Sequence, residues 1–272
     1  MKIPAGIAVK NSHRSIHVLK LHKNLYGQKQ AGWVWFNHLS AKLLSIDLTP
    51  SKVDPCIFYR GPCIFFFYVD DGIFMSPKQG DVDKAIADLK VIHLDIEDRG
   101  GIADYLGVNF SYQKNGDVIM TQPQLINQII ADADLKSNCH LPPTPVVSSR
   151  MLRREESDPA YQGKFHYSSL VGKLNYLEKS SRPDITFATN SCARFCENPG
   201  ATYYQAVAHI VKYLKKTREK GNIMKPNNSK SLEVYADADF SGNRYKPTAA
   251  DDASTAKSSS GYLVLYAGCP II

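Results

Sequence analysis

The segment FFFYVDDGIFMS, residues 65–76, places two carboxylates side by side between two runs of large apolar residues. Burying a charge is costly unless the charge is paired, so Asp70 and Asp71 are candidates for chemistry. Adjacent carboxylates offer the oxygen ligands that hard divalent cations prefer. Two such cations can stabilise the attacking and leaving oxygens of a phosphoryl transfer. The alternative is an ordinary solvent-facing Asp-Asp-Gly turn.

The apolar runs on both sides of these aspartates predict two short strands joined by a tight turn. Asp71-Gly72 is the predicted turn, because both residue types tolerate a positive φ. A hairpin of this kind would hold the two carboxylates rigidly at one end of a sheet.

Helical spacing flanks the predicted hairpin. Residues 31–45 carry Trp35, Leu39 and Leu43 at four-residue intervals, which predicts a helix with one buried stripe. Asp81 is the predicted N-cap of a second helix. The apolar stripe of that second helix contains Val82, Ala85, Ile86 and Leu89.

The remaining segments predict more strands and helices. Residues 104–113 and 116–122 read as a strand pair with Asn115-Gly116 as its turn. A helix is predicted from residue 123, with Leu125, Ile129 and Ile130 directed inward. A segment rich in Pro, Ser and charge, 141–163, predicts a linker. After it come three predicted helices and two predicted strands, at 167–180, 182–198, 201–221, 232–240 and 261–268.

Positive charge is concentrated near the start of this 272-residue chain, whose net charge is +7. The first 42 residues contain six lysines, one arginine and no acidic residue. Two interpretations stay open: a solvated basic face, or a track for nucleic-acid phosphates, since bound lysine and arginine release counterions. The longest apolar run carries two aspartates, the start lacks a signal-peptide core, and the six cysteines form no CxxC pair. We therefore expect no membrane span and an intracellular, non-secreted protein.

Several blocks of the sequence resemble one known family. Tyr68-Val69-Asp70-Asp71 between apolar strands is similar to the YxDD hairpin of reverse transcriptases. The other blocks resemble the Ty1/copia-type retrotransposon branch of that family, in the family's order. They are MKIPAGI, KLHKNLYGQKQAGWVW, SSLVGKLNYLEKSSRPDITFATNSCARF and VYADADFSG with SSSGYLVLYAG.

The resemblance implies a fold and a division into domains. The implied fold class is α+β: a polymerase palm on an antiparallel sheet with the YVDD hairpin, a helical thumb and connection region, and an incomplete RNase H-like α/β domain. The palm would span 1–141, the linker with the thumb and connection region 142–230, and the first RNase H-like strands 231–272.

The resemblance also implies roles for individual residues. Asp70 and Asp71 match the paired catalytic, metal-binding aspartates of the palm, and Tyr68 and Val69 match positions beside the primer end. Asp237 matches the first metal-binding carboxylate of the RNase H-like site, with Asp239 as a rival.

The motif QKQA matches the family's contact to template and incoming nucleotide, which implies this role for Gln30 and its neighbour Lys29. Lys20 and Lys23 would then bind the nucleic-acid backbone. Within this motif the chain departs from the family, because Gly32 and Trp33 stand where Pro and Arg are common.

The implied activity is RNA-directed DNA polymerisation with Mg²⁺ or Mn²⁺. The implied partners are an RNA or DNA primer–template, deoxynucleoside triphosphates and the rest of a Pol polyprotein. The implied location is the cytoplasm, in a virus-like particle, or the nucleus.

Two alternatives to a polymerase segment stay open. The family's third palm aspartate would lie before Met1 and its later RNase H carboxylates after Ile272, so we expect the isolated chain to be inactive. It could then be a non-catalytic nucleic-acid-binding module or a decayed transposon open reading frame. For the binding module, the candidate base-stacking aromatics are Trp33, Trp35, Tyr203 and Tyr204.

Overall fold

The computed structural model describes residues 18–136, 138–146, 165–241 and 258–271, with single residues between them at 152, 158, 159, 163 and 244. The segment MKIPAGI and most of the predicted linker lie outside the described residues. The chain divides into two compact units, Met1–Gly100 and Gly101–Ile272. Helices combine with antiparallel sheets in both units, which confirms the mixed α+β class.

The first unit contains a four-stranded antiparallel sheet in the order β1-β2-β3-β4. The described elements are α1 (Ala31–Leu44), β1 (Thr49–Pro50), β2 (Ile57–Arg60), β3 (Cys63–Tyr68), β4 (Asp71–Met75) and α2 (Gln79–Val91). Each strand pairs with the next along the chain, so the sheet is a simple meander.

Both helices of this unit contribute to the core on one face of the sheet. Phe65 and Phe67 of β3 are buried there together with Leu39 and Leu43 of α1. Leu89 of α2 belongs to the same apolar cluster. Successive side chains of a strand point to opposite faces, so in the continuously apolar β3 every second residue, Cys63, Phe65 and Phe67, is buried.

Two predictions about this unit are wrong in detail. Helix α2 begins at Gln79, so Asp81 is not its N-cap. Asp81 lies in the first turn, and its Oδ2 accepts a hydrogen bond from Ser76 Oγ at 2.9 Å. Trp35, predicted in the buried stripe of α1, keeps 37% of its surface exposed, because its indole extends to the hairpin turn.

The second unit contains two sheets, in the orders β5-β6-β7-β8 and β11-β10-β9. Its described strands are β5 (Asp104–Tyr105), β6 (Val108–Tyr112), β7 (Val118–Thr121), β8 (Asn222–Met224), β9 (Leu232–Ala238), β10 (Ser260–Tyr266) and β11 (Cys269–Pro270). Its described helices are α3 (Pro123–Asp132), α4 (Tyr167–Ser180), α5 (Thr186–Ala193) and α6 (Ala201–Lys216), with a 3-10 turn at Pro183–Ile185.

Sequence patterns located most of these elements but missed two features of the β5-β6-β7-β8 sheet. The turn at Asn115-Gly116 is confirmed, with Gly116 at φ 87°. The segment 104–113 is two strands rather than one, because Leu106 and Gly107 both adopt a positive φ and form a tight turn between β5 and β6. Strand β8 was not predicted, since its pairing partner β7 lies about a hundred residues earlier in the chain.

The four helices of the second unit form an apolar core that includes Leu170, Leu174, Val207 and Leu214. Tyr203 is buried in it, which excludes the predicted base-stacking role for that side chain. In the described part of the chain, no helix is long and apolar enough to cross a membrane.

A charged network lies at the edge of this helical core. Arg182 is 1% exposed and donates two hydrogen bonds to the Asp184 carboxylate, at 2.8 and 2.7 Å. It also donates to the Thr217 carbonyl at 3.0 Å, and Tyr213 Oη donates to Asp184 Oδ2 at 2.7 Å. The buried guanidinium is thus paired and hydrogen-bonded, as a buried charge requires.

Candidate functional site

The two aspartates lie at the tip of the β3–β4 hairpin. Tyr68 pairs directly with Asp71, so Val69 and Asp70 form the two-residue turn. The prediction that Asp71-Gly72 forms the turn is therefore wrong by two residues. Asp71 is instead the first residue of β4, and Gly72 pairs with Phe67 inside the ladder.

Gly72 is required for packing rather than for the turn. A Cβ added at this position would lie 2.7 Å from Cε2 of Phe65, well inside van der Waals contact. Phe65 and Phe74 stack at this place, with 4.3 Å between their ring centroids. The absent side chain of Gly72 therefore leaves room for an aromatic ring next to the turn.

Val69 has an unusual backbone conformation, with φ at 56°. A positive φ at the first turn residue is the feature of type II′ hairpin turns, where glycine is the usual residue. For a β-branched residue this conformation is strained. The Val69 carbonyl accepts a hydrogen bond from Trp35 Nε1 of α1 at 2.8 Å.

Asp70, the second turn residue, is exposed and is contacted by a tyrosine from the segment before α1. Tyr26 Oη donates a hydrogen bond to Asp70 Oδ2 at 3.0 Å. This hydrogen bond, together with the negative charge of the carboxylate, raises the pKa of Tyr26.

Asp71 and Tyr68 lie at the exposed end of the sheet, on the face opposite Phe65 and Phe67. Directly paired residues share a face, and alternation places this face opposite the buried Phe65 and Phe67. Tyr68 is 61% exposed and Asp71 is also exposed. The charges are thus solvated although the strands that carry them are largely apolar.

The predicted nucleotide- and backbone-binding residues lie in and next to the segment that contacts the turn. Lys20, Lys23 and Lys29 are exposed in residues 18–30. Gln30 is the exposed N-cap of α1, and its side chain makes no capping hydrogen bond. The same short stretch therefore carries the candidate phosphate-binding lysines and Tyr26.

Asp237 lies in the other unit, on β9 opposite Gly261 of β10. It is exposed, and its Oδ1 accepts a hydrogen bond from the backbone N–H of Ala238 at 2.9 Å. Asp239, the alternative candidate for the same metal-binding position, accepts a hydrogen bond from the backbone N–H of Ser259. Both carboxylates are therefore bonded locally, at the end of the β9–β10 pair.

The contacts of Tyr26 and Trp35 with this turn were not predicted from the sequence, which indicated Trp35 only as a core or base-stacking residue. These two residues precede the turn by 44 and 34 positions. Trp35 has helical spacing with Leu39 and Leu43, so the pattern predicted a core residue. The hydroxyl of Tyr26 and the indole N–H of Trp35 are hydrogen-bond donors. No sequence pattern identifies the acceptors to which they donate.

The chemistry of Asp70 and Asp71 fits a divalent cation. Mg²⁺ is commonly held by one or two carboxylates, with water and substrate phosphates completing its shell. Within the described ranges, no group of three or more His, Cys, Asp or Glu side chains could hold a metal ion. The turn therefore offers two oxygen-donor side chains on a rigid hairpin.

Comparisons with known proteins agree with these features. The family model for reverse transcriptase (RNA-dependent DNA polymerase) matches residues 1–148. The chain is 26% identical over 275 residues to a putative transposon Ty5-1 protein of Saccharomyces cerevisiae, covering 100% of this chain and 85% of the relative.

Two plant relatives are much longer than this chain. It is 29% identical over 280 residues to the retrovirus-related Pol polyprotein from transposon TNT 1-94 of Nicotiana tabacum, covering 98% of this chain and 20% of the relative. Identity is also 29% to the Pol polyprotein from transposon RE1 of Arabidopsis thaliana, with 100% and 18% covered. The chain thus spans about a fifth of these polyproteins. No solved structure matches it.

Proposed function

The chain belongs to the reverse transcriptase (RNA-dependent DNA polymerase) family, and we propose that it is the RNA-directed DNA polymerase segment of a copia-like retrotransposon polyprotein. The observation that carries the proposal is the hairpin turn, which presents Asp70 and Asp71 to solvent between packed strands. Its partners would be a primer–template, deoxynucleoside triphosphates and the rest of the polyprotein.

The proposed division assigns the hairpin to a polymerase palm at 1–141. The linker with the helical thumb and connection region would follow at 142–230, and the first strands of an RNase H-like domain at 231–272. Asp237 would be a metal ligand of that last domain. The mixed sheet-and-helix fold supports the α+β class that this division assumes.

In the proposed reaction, a primer 3′-hydroxyl attacks the α-phosphate of the incoming nucleotide and gives up its proton to solvent. The bond between the α- and β-phosphates breaks, and pyrophosphate leaves. Asp70 and Asp71 would hold Mg²⁺, or Mn²⁺ in its place, which when bound neutralises charge that develops on the phosphate oxygens. Tyr68 and Val69 would lie beside the primer end.

The basic segment before α1 would position the nucleic acid. Lys20 and Lys23 would bind backbone phosphates, because their exposed ammonium groups can replace counterions there. Gln30 and Lys29 would contact the template and the incoming nucleotide.

Primer extension on an RNA template, with Mg²⁺ or Mn²⁺, tests the proposal. Since the plant relatives are about five times longer, the assay uses the chain itself and the tobacco polyprotein carrying this chain in place of its matching segment. The Asp70→Asn, Asp71→Asn variant should reduce incorporation at least about a hundredfold.

Asp95→Asn, which removes an exposed carboxylate of the same unit, is the matched control and should retain activity. The proposed function would be contradicted if neither folded protein incorporates nucleotides. It would also be contradicted if nucleotide incorporation survives the double substitution.

A second candidate function is nucleic-acid binding without catalysis. The exposed Lys20, Lys23 and Lys29, with the exposed rings of Tyr26 and Trp33, favour it. Binding should then weaken steeply with salt and show little sequence preference. Equal affinity at low and high salt would contradict this function.

A further inference from the structure

The turn that carries Asp70 is held by two side chains from outside the hairpin. Trp35 Nε1 donates to the Val69 carbonyl at 2.8 Å, and Tyr26 Oη donates to Asp70 Oδ2 at 3.0 Å. Each of the two turn residues thus receives one hydrogen bond. We call this pair of side chains, Tyr26 and Trp35, the clasp.

The conformation of Val69 explains why the turn needs external support. Strained backbone conformations persist only where the surroundings impose them. Val69 is 53% exposed, so burial of its methyl groups can only partly hold φ at 56°. The hydrogen bond from Trp35 fixes the orientation of the peptide that links Val69 to Asp70.

Tyr26 acts on the carboxylate itself. Its side chain is 92% exposed, so it adds almost nothing to the apolar core. Its one evident contribution is the hydrogen bond to Asp70. A carboxylate that binds a cation is commonly oriented by such a neighbour, and losing the neighbour weakens metal binding.

We propose that the clasp positions Asp70 for a divalent cation, so that Tyr26 and Trp35 are positioning residues of the hairpin. The inference rests on the proposed function, because it requires that Asp70 and Asp71 bind the cation. Neither clasp residue touches the reacting atoms. Trp35 sets the turn, and Tyr26 sets the direction of the carboxylate.

Binding of Mn²⁺ to the full chain tests this inference without any turnover. Free Mn²⁺ is measured by electron paramagnetic resonance during a titration, and the binding that remains in Asp70→Asn, Asp71→Asn is subtracted. Tyr26→Phe and Trp35→Phe should each weaken the remaining affinity about tenfold or more.

Two matched variants serve as controls. Tyr112→Phe removes a hydroxyl from the exposed Tyr112 of β6. Tyr59→Phe removes a hydroxyl from the partly exposed Tyr59 of β2. Both should bind Mn²⁺ as the unchanged chain does.

A nuclear magnetic resonance spectrum of the indole N–H groups provides a second readout. The sequence contains only two tryptophans, so Trp33→Phe assigns the Trp35 signal. Bound Mn²⁺ should broaden this signal, and Tyr26→Phe should require more Mn²⁺ for the same broadening. A role in stability alone would leave the required concentration unchanged.

The outcomes separate the clasp from the function on which it rests. If the double aspartate variant binds Mn²⁺ as tightly as the unchanged chain, the metal role of the hairpin fails and the clasp with it. If that variant loses binding while Tyr26→Phe and Trp35→Phe keep it, only the clasp is overturned. Because Tyr26 is outside the core, Tyr26→Phe decides the matter even if Trp35→Phe does not fold.

Discussion

Two strand pairs of this molecule carry aspartates near one end but differ in how they are packed. In β3–β4, Phe65, Phe67 and Ile73 are buried to less than 10% exposure. In β9–β10, Val234 is 62% exposed and Tyr262 is 67% exposed. The first pair therefore presents Asp70 and Asp71 from a packed support, whereas the second presents Asp237 from strands with little burial.

The difference shows that strand pairing and strand burial are separate properties. Both pairs have regular antiparallel registers, over five and seven residue pairs. Helices α1 and α2 contribute to the core against one face of the first pair. Since a precise site requires side chains that packing holds in place, β3–β4 is the better support for chemistry.

The largest expected difference in stability between the two pairs comes from removing one aromatic ring from each. Phe67→Ala should lower the free energy of unfolding of the first unit by about 3–5 kcal/mol, because it opens a cavity in a close-packed core. Tyr262→Ala, in the exposed pair, should change stability by less than about 0.5 kcal/mol.

Urea unfolding measures both variants. Tryptophan fluorescence reports the first unit, which contains both tryptophans, and circular dichroism reports the whole chain. Similar losses in the two variants would show that the strand pairs do not differ in packing as described.

A smaller effect is expected from adding one methyl group to a glycine in each pair. Gly72→Ala would place a Cβ 2.7 Å from the buried ring of Phe65 and should cost about 1–3 kcal/mol. At Gly261 an added Cβ meets nothing within 4 Å, and φ is not positive. Gly261→Ala should therefore be neutral or stabilising by up to about 1 kcal/mol. Thermal unfolding of both variants measures the two changes in stability. A Gly72→Ala variant as stable as the unchanged chain would contradict the expected difference.

The smallest expected effect is the acid sensitivity contributed by a third carboxylate, Asp184, at the edge of the helical core. Burial alone would raise the pKa of Asp184, but hydrogen bonds from Arg182 and Tyr213 and the guanidinium charge outweigh it and lower the pKa below 3.8. The folded-state pKa is thus below the unfolded one. This stabilisation is present above about pH 4 and is lost as the pH falls through the folded-state pKa.

Denaturation by urea at pH values from 6 down to 2.5 should therefore show stability falling below about pH 4. Asp184→Asn should reduce that dependence. The matched variant Asp237→Asn removes a carboxylate from the exposed strand pair instead. An equal change in both variants would contradict the assignment of this acid sensitivity to the helical core.

Local patterns predicted the hairpin and most helices because periodicity follows from which side chains must be buried. They located the turn wrongly for a physical reason. Asp-Gly is the stronger turn signal, but here the glycine makes room for the Phe65 ring and the strained position passes to Val69. A packing requirement from the neighbouring strand thus overrode the local preference.

The sequence by itself determined the family, the position of the two aspartates between apolar strands and the concentration of lysines before α1. These properties are carried by residue types in local order. Only the tertiary structure decided that Asp70 lies on the turn and Asp71 at the exposed start of β4, and that Tyr26 and Trp35 contact the turn. Those contacts join residues 34 and 44 positions apart, and such pairs are created when helix and sheet pack together rather than by any local pattern.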